Sequence, residues 1–194
     1  MKKKNQNHEF FLSPLLGRKK NAQVWVETVV YTLIGLTIIA IILAMAMPQI
    51  DKMKDKAIIE QTVVALNNLD TKISEVGQTS GSAGVAYLKI SKGKLEINST
   101  GNSIKYILED TKLEGSEPGV EITQTPIILL TEKMASRFKI SLTMNYNNLN
   151  ITNEGDDETG IKTLHAGATP YKISIENKEV STTTQNTTLE FSVI

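Results

Sequence analysis

Residues 23–47 read QVWVETVVYTLIGLTIIAIILAMAM, and Glu27 is the only charged residue among these 25. An α-helix rises about 1.5 Å per residue, so a helix of this length crosses a hydrocarbon core of about 30 Å. Thr28, Thr32 and Thr37 fit such a helix, because a helical threonine donates its hydroxyl to a carbonyl of the preceding turn. The stretch therefore predicts a membrane-spanning helix.

The segment before this span is basic. Residues 1–22 contain six Lys and Arg residues against one acid, Glu9, and Pro14 and Gly17 break their short apolar patch. That patch is too short for the apolar core of a secretory signal peptide, so we interpret residues 1–22 as a cytoplasmic leader. Positive charge stays on the cytoplasmic side of a span, which predicts that the chain after Met47 faces outward.

An amphipathic helical pattern continues from residue 48 to Gly77. Its apolar rows recur at spacings of three and four: Ile50, Met53 and Ala57, then Ile59, Val63, Leu66, Leu69, Ile73 and Val76. We assign Asp55 and Asp70, with the other charged residues of this segment, to the polar face. The pattern predicts a helix with one buried stripe that ends at Gly77, where a Gly- and Ser-rich segment begins.

Residues 85–194 change to a two-residue period. The clearest example is the alternation of Phe138, Ile140, Leu142, Met144 and Tyr146 with polar residues. We predict about seven strands without a helix between them, and so a mostly antiparallel sheet, with 88–90 and 95–97 forming a hairpin. The helical stripe would cover the apolar face of this sheet. The predicted class is α+β, a long N-terminal helix packed on a β-rich head.

The charge distribution limits the partners. Lys plus Arg and Asp plus Glu each total 21, but residues 23–194 hold 15 of the former and 20 of the latter, a net charge of −5. A mildly acidic domain argues against nucleic acid, which binds to cationic surfaces. The sequence contains no cysteine, which excludes disulfides, thiol catalysis and zinc–thiolate sites.

No arrangement of residues points to catalysis or to a metal. His8 and His165 are isolated, and a surface histidine is a better interpretation of each than a metal ligand. The acidic run 154–158 gathers oxygen ligands but lacks the spacing of a known calcium loop, which favours a solvated turn between strands. We expect no enzymatic activity, no metal and no cofactor.

The junction Lys19-Lys20-Asn21-Ala22-Gln23-Val24-Trp25-Val26-Glu27 resembles the class III signal of archaeal type IV pilin-like proteins. In that family a prepilin-type peptidase cuts after a basic and small segment, the new first residue is often Gln, and an acid stands fifth. The resemblance implies a cut between Ala22 and Gln23, which makes Glu27 the fifth residue. It also implies a long helix, half in the membrane and half packed on a β-rich head. The long, partly apolar leader departs from the family pattern.

The carboxylate of Glu27 needs a partner if it lies in a membrane-like environment. A lone carboxylate in hydrocarbon costs several kcal/mol unless it is paired. Cleavage before Gln23 frees an α-amine, and in an assembly this amine pairs with Glu27 of a neighbouring subunit. The alternative is a signal-anchor protein whose Glu27 lies at the level of the lipid headgroups.

Three Asn-x-Ser/Thr triplets match the N-glycosylation acceptor pattern, and they begin at Asn98, Asn150 and Asn186. Such triplets also arise by chance in a chain rich in Asn and Thr. An outward-facing domain makes them candidate sites, and glycosylation is common in the resembled family. Asn98 is the best placed, because it follows a predicted hairpin strand.

Two functions remain open on this basis. The first is a structural subunit of an extracellular type IV pilus-like filament, with a membrane-bound precursor, a prepilin-type peptidase and other copies of the chain as partners. The second is a monomeric membrane-anchored extracellular β-domain that acts as a surface binding module. Only the filament subunit requires a cut before Gln23.

Overall fold

The computed structural model describes residues 19–154, 160–180 and 186–194; for residues 19–23, Glu179 and Val180 it describes the backbone alone. Most of the predicted leader therefore lies outside the described residues. The chain divides into two compact units, Met1–Met47 and Pro48–Ile194. This boundary coincides with the predicted border between the two halves of the long helix.

One helix and ten strands form the described secondary structure. The helix, α1, spans Lys19–Gly77 and contains Pro48. It ends where the sequence predicts and begins four residues before Gln23. The strands are β1 (Ala83–Leu88), β2 (Lys94–Asn98), β3 (Ser103–Thr111), β4 (Glu121–Gln124), β5 (Ile127–Met134), β6 (Arg137–Asn145), β7 (Leu149–Asn153), β8 (Ile161–His165), β9 (Tyr171–Val180) and β10 (Thr187–Val193).

The strands are divided between two sheets. One has four strands in the order β1-β9-β10-β7, and the other has six in the order β4-β5-β6-β3-β2-β8. Within the described residues every pair is antiparallel except β7 with β10, which is parallel. The predicted α+β class with predominantly antiparallel pairing is confirmed, but there are two sheets where the sequence predicts one.

The predicted hairpin of 88–90 with 95–97 is wrong. β1 pairs with β9, whereas β2 pairs with β3 and β8, so the chain changes sheets between Leu88 and Lys94. Ile90, in this crossing, is 3% exposed, and its carbonyl accepts a hydrogen bond from the Gly167 amide at 3.0 Å. A local turn pattern does not distinguish a hairpin from such a crossing, because the partner strands lie far along the chain.

Three strands beyond the predicted seven are β4, β7 and β8. All four residues of β4 are exposed, so no apolar alternation marks it. β7 carries only Leu149 and Ile151 as apolar residues, and in β8 Ile161 is exposed while Leu164 is buried. These strands form because the strands beside them offer unpaired hydrogen-bonding edges. The cause therefore lies in the neighbouring strands and not in the sequences of β4, β7 and β8 themselves.

One core joins the head half of α1 to both sheets. Ile59, Leu66, Leu69, Ile73 and Val76 of the predicted stripe are buried, and Val63 packs against them. The same cluster takes in residues of the first sheet, Leu88, Ile151, Ile173, Ile175, Leu189 and Phe191, and of the second, among them Leu95, Ile97, Ile104, Leu108, Ile140 and Leu142. The predicted packing of this stripe on the β-rich head is confirmed.

Replacing Leu66 by Asp tests this shared core. Leu66 is completely buried, so a carboxylate there lacks both water and a partner, and we expect the free energy of unfolding to fall by about 3–5 kcal/mol. The measurement is urea unfolding of the unit Pro48–Ile194, followed by circular dichroism. Val64→Asp is the matched control, because Val64 lies on the same helix and is 60% exposed. Equal midpoints for the two variants would contradict the packing.

Candidate functional site

The membrane-length half of α1 presents an apolar surface that the chain itself leaves uncovered. From Val24 to Met47 every residue except the half-exposed Ala46 is exposed. An 18-residue window of the helix has a mean hydropathy of 2.6 and no buried residue. By length and composition this helix is able to cross a membrane, as the sequence predicts. A continuous apolar surface of this size requires lipid or other protein to cover it.

The hydroxyl groups of this half-helix are satisfied within it. Thr28 donates to the Val24 carbonyl at 3.0 Å, Thr32 to the Thr28 carbonyl at 2.8 Å, and Thr37 to the Leu33 carbonyl at 2.7 Å. This confirms the predicted role of the threonines. None of the three needs a hydrogen-bond partner from outside, which leaves Glu27 as the charged group of residues 24–47 with unused hydrogen-bonding capacity.

Glu27 is exposed and has one neighbour of its own helix. The Tyr31 hydroxyl, one turn later, donates to its Oε1 at 3.4 Å. Sequence analysis missed this contact, although the spacing of four residues on a helix is the signal for it. In the full chain α1 begins at Lys19, so Glu27 is beyond the first helical turn. Removal of residues 1–22 would place it in the first turn, where the helix dipole favours an acid.

The predicted processing site lies within the described backbone. Ala22 and Gln23 belong to α1, so the junction is helical and runs into the span without interruption. Their side chains, and all of residues 1–18, lie outside the described residues.

A second polar site, missed from the sequence, lies at the start of the head half of α1. Asp55, which we assigned to the polar face, is only 6% exposed. Its Oδ1 accepts from Lys92 Nζ at 2.7 Å and its Oδ2 from Thr111 Oγ1 at 2.6 Å. The signal was available, because Asp55 precedes Ile59 by four residues and so belongs to the buried stripe.

Tyr106 and Gly93 complete this Asp55 cluster. The Tyr106 hydroxyl donates to the Lys92 carbonyl at 2.5 Å, and burial raises the pKa of Tyr106 to about 12. Gly93 has a φ of 81°, and a side chain there would collide with the carbonyl of Ile107. The glycine thus lets the turn approach β3 closely enough to place Lys92 beside Asp55.

A similar pair lies near the other end of the stripe. The Tyr146 hydroxyl, just after β6, donates to Asp70 Oδ1 at 2.9 Å. Burial and the neighbouring Asp70 carboxylate raise the pKa of Tyr146, which keeps its hydroxyl protonated as a donor. Asp70 is therefore half-buried and bonded, whereas the sequence pattern assigns it to the solvated face.

The structure brings two of the three glycosylation candidates together. Asn150 in β7 and Thr188 in β10 are register partners, and Asn150 Nδ2 donates to Thr188 Oγ1 at 3.4 Å. Asn186 begins the triplet that contains this threonine. Asn98 ends β2 separately, and its Oδ1 accepts from the Gly101 amide at 2.8 Å, which closes a turn. All three are half-exposed.

Among residues 19–154, 160–180 and 186–194, no group of three or more acidic, His or Cys side chains is arranged to hold a metal. His165 is exposed, and its backbone carbonyl accepts from the Tyr171 hydroxyl at 2.8 Å. His8 and positions 155–159 of the acidic run lie outside the described residues. Comparison of the chain with protein-family models, curated proteins and solved structures finds no match.

Replacing Asp55 by Ala tests the Asp55 cluster. The change leaves the buried Thr111 hydroxyl without its acceptor, so we expect the free energy of unfolding of Pro48–Ile194 to fall by about 2–3 kcal/mol. Glu60→Ala is the control, because Glu60 is exposed and pairs only with the equally exposed Lys56, at 3.9 Å. We expect this control to change stability by less than about 0.5 kcal/mol. A loss for Asp55→Ala no larger than that for Glu60→Ala would contradict the role of the cluster.

Proposed function

We propose that this chain is the structural subunit of an extracellular type IV pilus-like filament. The observation that carries the proposal is one helix whose two halves differ in burial. Residues 24–47 expose an apolar surface with one carboxylate, while residues 48–77 bury a stripe in the β-rich head. Such a helix suits a subunit that first resides in a membrane and later packs against other copies of itself.

The surface of α1 beyond the span favours a filament over a monomeric anchor. Ile50, Met53 and Val64 are 47%, 71% and 60% exposed, on the part of the helix that lies after the membrane-length segment. The head leaves these apolar side chains exposed, and a monomeric anchor does not require them. A neighbouring subunit in a filament would cover them together with the apolar surface of residues 24–47.

Glu27 would order the assembly through its charge. In a filament core the carboxylate would be removed from water. A charge in such a low-dielectric environment needs a counter-charge. Cleavage between Ala22 and Gln23 supplies one, because it creates an α-amine on each subunit; on a chain whose Gln23 has cyclised, the lactam N–H donates a weaker, neutral hydrogen bond to Glu27 instead. The Tyr31 hydroxyl already donates to Oε1, which leaves Oε2 for the amine of a neighbour.

The proposed route begins with a precursor whose basic leader lies in the cytoplasm and whose head lies outside. A prepilin-type peptidase removes residues 1–22, and the mature chain leaves the membrane for the filament on the cell surface. The resemblance of residues 19–27 to the class III signal supports this route. The second candidate is the monomeric anchored β-domain, which keeps its leader and stays in the membrane.

N-terminal sequencing of the surface form tests the processing step. We expect the mature chain to begin at Gln23 or at its cyclised product, because the basic residues and Ala22 precede the predicted cut. Ala22→Leu should accumulate as precursor, since a bulky residue replaces the small one. A surface form that keeps Lys19 and Lys20 would exclude the filament subunit and favour the anchored domain.

Replacing Glu27 by Ala or Gln tests the assembly step. Both variants should still be processed and should remain in the membrane, because losing a charge makes the span more apolar. Both should enter filaments poorly, with yields reduced at least about tenfold, since the amine of the neighbour loses its counter-charge. The measurement compares membrane-bound mature protein with sheared filaments, in cells that lack the wild-type chain.

The control for this experiment is Thr37→Ala, which alters the same half-helix without removing a charge. Thr37 bonds only within its own helix, so its loss should leave the filament yield unchanged. A normal filament yield from Glu27→Ala would contradict the assembly role of Glu27. It would favour the alternative in which Glu27 lies at the level of the lipid headgroups.

A further inference from the structure

A cavity of about 490 Å³ with a mixed polar and apolar lining opens between the last turn of α1 and the connection from β6 to β7. Ser74 and Gln78 come from the helix side. Asn145 ends β6, and Asn147 and Asn148 belong to the connection that follows it. Five side chains that each offer hydrogen-bonding groups thus converge on one concave surface, at the opposite end of the head helix from Pro48.

Among the described residues, these five side chains have no hydrogen-bond partner. None of them bonds to another side chain or backbone group among residues 24–154, 160–178 and 186–194. The backbone carbonyl of Asn147 accepts from Asn186 Nδ2 at 3.4 Å, which holds the connection but leaves the Asn147 side chain available. Each amide offers both a donor and an acceptor.

The lining of the cavity is partly apolar and carries no charge. Ile73, Tyr146 and Leu149 line it together with the polar residues. The Tyr146 ring is fixed in place, because its hydroxyl donates to Asp70 Oδ1. None of the described lining residues carries a charge. A neutral ligand that carries hydroxyls on one side and C–H groups on the other matches this surface, whereas an ionic ligand finds no counter-charge.

We propose that this cavity binds a neutral saccharide. The hydroxyls of a sugar donate to and accept from the amides of Asn147, Asn148 and Gln78, while its C–H face lies against Tyr146 and Leu149. The sugar has two possible sources. One is a glycan from outside the chain, and the other is a glycan attached to Asn186, whose side chain already contacts the Asn147 carbonyl. This proposal does not depend on filament assembly.

The test titrates the full chain with named sugars. The protein is made in a bacterial host without N-glycosylation and is purified in lauryldimethylamine oxide, a detergent without a sugar headgroup. Glucose, galactose, mannose, N-acetylglucosamine and chitobiose are added separately, and binding is followed by saturation-transfer NMR. We expect at least one sugar to bind. Binding of none of the five overturns the proposal.

Substitutions then locate the binding. Asn147→Ala and Asn148→Ala should each weaken the affinity about tenfold, the loss of one or two hydrogen bonds. Asn68→Ala is the matched control, because Asn68 is exposed on α1 and does not line the cavity, and it should bind as the wild type does. Thermal unfolding of each variant confirms that the head is intact. Equal affinity for all three variants places the sugar elsewhere and overturns the proposal.

A second preparation, from a host that performs N-glycosylation, identifies the source of the sugar. If the glycan on Asn186 fills the cavity, this protein should not bind added sugar, and Asn186→Gln should restore binding. If the ligand is external, the glycosylated protein and Asn186→Gln should bind equally well.

Discussion

One helix in this protein has to satisfy two environments. Leu66, Leu69 and Ile73 are enclosed by the head, and each such side chain contributes about 1.5–3 kcal/mol by leaving water. The large side chains of residues 24–47 gain nothing of this kind within the chain. The rest of the structure depends on this contrast, because the head encloses one half of the helix while the described residues leave the other half exposed.

Apolar packing fixes which side of the helix faces the sheets, but it fixes position along the helix axis only loosely. Directional bonds supply that second constraint. Asp55 is bonded to Lys92 and Thr111, and Asp70, about 22 Å further along the helix, is bonded to Tyr146. Two acids of one helix are therefore bonded to two separate parts of the β-rich head, which fixes the position of residues 55–70 along the helix axis.

The parts of the fold that the sequence predicts are those with a local cause. The span, the stripe from Ile59 to Val76 and the alternation in β6 each repeat a period that a single element determines. The predicted hairpin of 88–90 with 95–97 was wrong because the strands there pair with strands further along the chain, and β4 was missed because all four of its residues are exposed. At the candidate site, Glu27 stands out as a lone charge. The spacing of Asp55 from Ile59 indicates its burial, but its bonding partners Lys92 and Thr111 lie far along the chain and could not be predicted.

The position of β10 has a consequence for the order in which the head is built. β10 follows every other element along the chain, yet it lies inside its sheet, between β9 and β7. β7 has no other partner in that sheet, so Ile151 cannot be enclosed until β10 arrives. The four-stranded sheet therefore cannot be completed before residues 187–193 have been synthesised and have inserted between β9 and β7.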